Sequence, residues 1–181
     1  AVYKKIFSEG KGRPFYVTYY RGKHNSGKTD EELAELFQPI LKEHGVEVSD
    51  ELAGKAAGIM KERASFICDL WDLTSYFFVA PTSYEEKQAK KYWKGENPAR
   101  LKELREVLAS IEDFSKENTE AVVGAWIAEK EYGMGQIMNT LRLALVGAGK
   151  GPGMYDVTAF IGKDECLKRI DFILENLKPI E

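Results

Sequence analysis

From Asp30 onward, apolar residues recur at three- and four-residue spacings, the period of a helix that buries one face. Leu33, Leu36, Phe37, Ile40 and Leu41 form the first such stripe, with Asp30 placed to cap it and Gly45 to stop it. Ser49 is placed to cap a second helix, Asp50 to about Arg63, whose apolar side carries Leu52, Ala56, Ile59 and Met60. Ser65 to Phe78 continues as a strongly apolar helix that ends before Pro81, because a residue preceding proline is pushed out of the α region. Ser83 and Glu86 have capping-box spacing for a short helix through Trp93, and Asn97-Pro98 reads as a cap followed by proline in the first helical position. Leu101, Leu104, Val107, Leu108 and Ile111 make the next stripe. Thr119 then opens a helix burying Val122, Val123, Trp126 and Ile127, and Gly133-Met-Gly-Gln begins another through Leu145. After the glycine-rich segment 147–153, residues 154–161 and 164–177 read as a short and a longer helix.

Only Phe15-Tyr-Val-Thr-Tyr-Tyr reads as a strand, so no parallel sheet is available and the expected fold is all-α. The pattern predicts a helical bundle in two subdomains, residues 30–115 and 116–181, preceded by an irregular arm, residues 1–29.

Charge changes this picture mainly at the arm. The whole chain carries −3, but residues 1–29 hold seven Lys or Arg against one Glu, so the arm is +6 and the body −9. A basic, tyrosine-rich arm suits a nucleic-acid backbone, because cations neutralise phosphates and aromatic rings stack on bases. An acidic body excludes nonspecific polyanion binding, so any RNA contact there must use local patches. One such stripe is Lys87, Lys90, Lys91, Lys94, Arg100, Lys102 and Arg105, interleaved with Tyr92 and Trp93; it is either a solvated helix face or a track along an RNA backbone.

The remaining chemistry is sparse. Cys68 and Cys166 are nearly a hundred residues apart and read as reduced thiols, and His24 and His44 lack partners at metal-ligand spacing, so no metal is expected. Acidic pairs such as Asp69/Asp72 have no identifiable catalytic partner. Gly22-Lys-His-Asn-Ser-Gly27-Lys28-Thr29 satisfies the phosphate-loop pattern, which leaves a nucleotide-binding protein as one alternative. Such a loop needs a buried parallel strand before it and a later strand carrying an Asp for magnesium, so a flexible basic turn is the preferred reading, with phosphate contact by Lys23 and Lys28 under either. A helical protein-interaction adaptor is the other alternative. No stretch approaches the roughly 20 consecutive apolar residues of a spanning helix, and a cytoplasmic monomer without membrane contact is expected. The start, Ala1-Val-Tyr-Lys-Lys, reads as mid-chain sequence, as of an excised segment.

In the C-terminal half, Gly133-Met-Gly-Gln-Ile-Met-Asn-Thr-Leu-Arg-Leu-Ala-Leu-Val-Gly, then Gly151-Pro-Gly-Met-Tyr-Asp and Ile161-Gly-Lys-Asp-Glu-Cys-Leu-Lys-Arg-Ile, resemble the end of bacterial glutamyl-tRNA synthetases. Asp30-Glu-Glu-Leu-Ala-Glu-Leu-Phe, Lys61-Glu-Arg and Ser75-Tyr-Phe-Phe fit that family in the same order, so the resemblance spans roughly residues 30–177. It implies an all-helical anticodon-binding region that recognises glutamate tRNA. ATP, magnesium and glutamate would belong to a catalytic part whose signatures this sequence lacks, so the segment itself would need no cofactor and would not aminoacylate. Unpaired anticodon bases can be splayed, stacked on aromatic or guanidinium planes and read along their Watson–Crick edges. The resemblance makes Arg63 the matching anticodon reader and places Arg142 and the loop through Tyr155, with Lys150, at the base pocket. The full set of expected RNA contacts is Arg63, Arg142, Lys150, Tyr155, Lys163, Lys91, Arg100, Lys23 and Lys28. Val146 stands where the family suggests a small hydroxyl residue, and Gly151-Pro-Gly-Met-Tyr replaces a more typical Pro-Gly-Leu-Phe.

Overall fold

The computed structural model describes the backbone of residues 18–21 and 24–27 and, with side chains, residues 28–180. Residue contacts divide the chain into two compact units, one ending at Phe78 and the other beginning at Val79. The sequence pattern puts the division at 115/116. The difference arises because the helices Glu86–Tyr92 and Asn97–Ser110, assigned by sequence to the first subdomain, pack instead on the later helices Met134–Val146 and Lys163–Asn176.

In the first unit, β1 (Thr18–Arg21) pairs antiparallel with β2 (His24–Gly27), Thr18 opposite Gly27 and Arg21 opposite His24. Residues of the expected basic turn are therefore extended strand. Thr29, not Asp30, caps α1 (Asp30–Glu43): its hydroxyl accepts from the Glu32 N–H, and the Glu32 carboxylate accepts from the Thr29 N–H at 2.9 Å, a reciprocal capping box. Asp30, one residue further on, pairs with Lys61 at 2.9 Å. Ser49 caps α2 (Asp50–Met60) as expected, and Lys61–Arg63 finishes as a 3-10 turn. The apolar helix read from Ser65 starts four residues later as α3 (Asp69–Phe78), because the Asp69 carboxylate accepts the Ser65 and Phe66 N–H groups at 3.1 and 2.9 Å and ties them into a turn.

Leu33, Phe37 and Leu41 of α1, Ala53 and Ala57 of α2, and Ile67 and Leu70 form this unit's core. The small residues on α2 let α1 approach closely. An added Cβ on Gly54 would lie 2.7 Å from the Asp30 carbonyl oxygen.

The second unit holds α4 (Glu86–Tyr92), α5 (Asn97–Ser110), α6 (Lys116–Glu129), α7 (Met134–Val146), α8 (Met154–Ile161) and α9 (Lys163–Asn176). Helix α9 packs on α5, α7 and α8, while α6 packs on α5 and α8. Leu101, Leu104, Leu108, Val123, Leu141, Leu145, Val157, Ile170 and Ile173 are fully or almost fully buried. Trp93, 1% exposed, anchors the end of α4, its indole N–H donating to the Leu177 carbonyl at 2.8 Å.

Three caps of the second unit differ from expectation. Glu85, not Ser83, occupies the cap of α4 and makes no side-chain cap bond. Asn97 is inside α5, its amide donating back to the Tyr92 carbonyl at 2.9 Å. Ser115 caps α6, leaving Thr119 buried one turn in. Asn97 shows the reason most directly, since its side chain bonds a backbone carbonyl before the helix instead of capping it.

Gly54→Ala is expected to destabilise the first unit by about 1–3 kcal/mol, since backbone must move to admit the methyl group. Gly124→Ala in α6, where nothing lies within 4 Å of the added carbon, should instead stabilise its unit by up to about 1 kcal/mol. Urea unfolding of both variants checks the opposite signs.

Candidate nucleic-acid interface

Helix α7 ends because Gly147 adopts φ +79°, a left-handed conformation that glycine takes without the strain a side chain would add. A Cβ there would also strike Pro81 and the Ser83 carbonyl, both at 2.8 Å. The chain leaving the helix is held from three sides. The Glu85 N–H donates to the Gly147 carbonyl at 2.7 Å, and the Glu85 carboxylate accepts the Gly149 N–H at 3.0 Å. Arg142, one turn back on α7, donates to the Lys150 carbonyl at 3.0 Å. Below the loop, Arg169 of α9 is only 3% exposed; it donates to the Leu145 carbonyl at 2.8 Å and pairs with Glu165 at 2.8 Å.

The arrangement brings Arg142 and Lys150 together and leaves Lys150 exposed on a loop of fixed shape, with Tyr155 two residues into α8. Burial raises the Tyr155 phenol pKa, with the Glu120 charge adding to it, and its hydroxyl has no hydrogen-bond partner among the described residues. Exposed Lys150 on this loop can meet a phosphate or a base edge, and rigid backbone makes such a contact specific.

The remaining expected contacts are dispersed. Arg100 pairs with Glu96, lies 3.4 Å from Gln136 Oε1 and covers the Tyr132 ring at 4.5 Å, so it fastens α5 to the turn before α7. Lys163 donates to the Ile111 carbonyl at 2.9 Å, closing the end of α5. Arg105 grips Asp171 with two hydrogen bonds of 2.8 and 2.9 Å. Lys87 and Lys91 are exposed on α4, Lys94 just after it and Lys102 on α5, so the basic stripe divides into two structural arginines and an outer set of lysines. Arg63 is exposed at the end of the 3-10 turn in the first unit, and Lys28 is half-buried just before α1. Lys23 lies outside the described residues.

Sequence reasoning missed Glu85 and Arg169. Arg169 had a usable signal: with Cys166, Ile170 and Ile173 it falls on the buried face of α9, where a cation needs partners. Glu85 had none, because its partners are more than sixty residues away.

A profile of the anticodon binding domain matches residues 32–174. The chain belongs to the anticodon binding domain family. It is similar to the glutamate–tRNA ligase of Phocaeicola vulgatus, 54% identical over 151 residues that cover 83% of this chain and 30% of that protein. With the glutamate–tRNA ligase of Bacteroides fragilis it is 51% identical over 172 residues, 95% of this chain and 33% of that protein. Among solved structures it resembles a glutamate tRNA ligase from Elizabethkingia meningosepticum crystallised with its amino acid, at TM-score 0.79 and 41% identity over 83% of this chain and 30% of that one. A glutamate-tRNA synthetase from Elizabethkingia anophelis gives 0.73 and 39% over 82% and 29%. This anticodon binding domain chain thus spans about a third of the length of the curated relatives it matches. The family resemblance drawn from residues 30–177 agrees with the matched span.

The nucleotide-loop alternative fares differently. In this anticodon binding domain chain, His24–Gly27 is an antiparallel strand and Thr29 a helix cap, so these residues do not form a loop curled around a phosphate. Among the described residues no three His, Cys, Asp or Glu side chains group as a metal site requires, and no helix is long and apolar enough to cross a membrane.

Arg169→Met is expected to lose roughly 1–3 kcal/mol by leaving the Leu145 carbonyl unpaired in the interior, measured as a lower urea midpoint with unchanged slope. The Arg105 guanidinium, hydrogen-bonded to Asp171, holds that carboxyl below the usual range, so the pair stabilises the fold above the ordinary carboxylate pKa and stops doing so as pH falls through the lowered value. Asp171→Asn should therefore cost at most about 1 kcal/mol at pH 7, the pair being partly exposed, and the gap to the parent chain should close below about pH 4 in thermal melts.

Proposed function

We propose that this chain recognises the anticodon of glutamate tRNA as the tRNA-binding part of a glutamate–tRNA ligase. In this reading the complete enzyme joins glutamate to tRNA(Glu) with ATP and magnesium, and the present chain supplies recognition while another part supplies the chemistry. It works as a cytoplasmic monomer. The observation that carries the reading is the glycine loop after α7, clamped by Glu85 and Arg142 in a chain of the anticodon binding domain family.

Within that function, exposed Arg63, Lys91 and Lys150 face the RNA, Lys23 and Lys28 add phosphate contacts, and Tyr155 and Arg142 shape the base pocket. Arg100 and Lys163 act as scaffold behind it, as their contacts with Glu96, Tyr132 and the Ile111 carbonyl support. Recognition through these cations falls with salt in proportion to the number of phosphates they contact, because each phosphate contact releases counterions.

Binding of labelled tRNA(Glu) and of the same tRNA with altered anticodon bases, across a salt series, tests this. The expected result is salt-sensitive binding that favours the native anticodon, with Arg63→Ala costing about 1–3 kcal/mol and narrowing the preference. Lys150→Ala should weaken binding and reduce the salt slope by roughly one. Equal affinity for the two RNAs would sink the proposal.

A further inference from the structure

We infer that Glu85 is a positioning residue for RNA recognition: a carboxylate that sets the shape of the 147–150 loop without itself touching RNA. The inference rests on the anticodon-recognition reading and adds a residue to it. Glu85 sits on the segment between Val79 and α4, and it meets the loop at two points. Its main-chain N–H donates to the Gly147 carbonyl at 2.7 Å, and its side chain accepts the Gly149 N–H at 3.0 Å. The first bond survives any substitution except proline. The second depends on the side chain, so residue 85 controls the loop's far half.

The topology explains why a clasp is needed. A left-handed Gly147 turns the chain out of α7, and residues 148–150 then run without helix or strand partners. Alanine, glycine and lysine there would otherwise sample many backbone states, and ordering each residue costs about 1–2 kcal/mol. Glu85 fastens Gly149, and Arg142 fastens Lys150, so Lys150 is presented from two adjacent fixed points. Glu85 is itself exposed and negatively charged, beside exposed Lys87 and Lys91. A carboxylate there opposes polyanion binding electrostatically, and its contribution must come through loop geometry.

This opposition makes the inference testable, since a purely electrostatic role and a positioning role predict different orders of affinity. Removing a negative charge alone would make Glu85→Ala and Glu85→Gln bind RNA equally, and both more tightly than the parent chain. A positioning role separates them, because glutamine keeps an oxygen able to accept the Gly149 N–H and alanine does not. The full 181-residue chain and both variants are titrated with tRNA(Glu) and with the anticodon-altered tRNA, and exchange of the Gly149 amide proton is followed by NMR. The expected outcome is that Glu85→Ala loses roughly three- to tenfold of the preference for the native anticodon, the effect of one ordinary hydrogen bond, and exchanges the Gly149 proton faster. Glu85→Gln should retain the preference and the protection. Equal preference in the two variants, or unchanged exchange in Glu85→Ala, overturns the inference while the parent chain's preference stands. A parent chain without preference overturns the anticodon reading and this inference with it, whereas a preference in the parent with loss only in alanine supports both. Circular dichroism melts show that both variants are folded under the assay conditions.

Discussion

The last carbonyls of α7 have no partner within their own helix, and what meets them organises the second unit. Arg169 reaches through the core from α9 to the Leu145 carbonyl, and the Gly147 carbonyl turns outward to the Glu85 N–H. A guanidinium that is almost wholly buried is tolerable because Glu165, one turn away on the same helix, balances its charge. The link makes α9 a support for the end of α7, and the position of the glycine loop follows from it. Arg142 and Glu85 both act on the same short stretch of chain.

Charge is distributed in keeping with that design. The body carries −9, and four of its cations are committed to partners within the fold: Arg105 to Asp171, Arg100 to Glu96 and the Tyr132 ring, Lys163 to the Ile111 carbonyl, Arg169 to the core. The lysines left on the surface of α4 and the loop are then the local patch that a polyanion can find. An acidic background repels RNA elsewhere, which favours recognition of one register over sliding along a general basic surface.

The two units use different means to the same end. In the first, Ala53, Gly54 and Ala57 keep the facing side of α2 small, so α1 packs close to it and Phe37 and Leu41 fill the core. In the second, helices cross with larger side chains, and Trp93 plugs the space near the end of α9 while its N–H satisfies the Leu177 carbonyl. Each solution removes apolar surface from water.

Helix period, and with it the all-α body, was legible from apolar spacing alone, and α1, α2, α7 and α8 lie within a few residues of where that spacing puts them. The left-handed turn at Gly147 was legible too, because a glycine after an apolar helix has few other uses. Caps were less so: Thr29 and Asp30 are both good caps, and the reciprocal bonds of Thr29 with Glu32 together with the Asp30–Lys61 pair separate them. Whether α4 and α5 belong with the first helices or the last depends on contacts between residues far apart in sequence, and local pattern carries no information about those. The same holds for the site. By itself the sequence determined which segments are helical and which residue types were available to meet RNA, because periodicity and composition are local properties. Only the tertiary structure decided that Arg100 and Lys163 brace helices while Glu85 holds the loop and Arg169 the helix end before it, because a side chain's role is set by the carbonyl or charge that folding places within hydrogen-bonding reach of it.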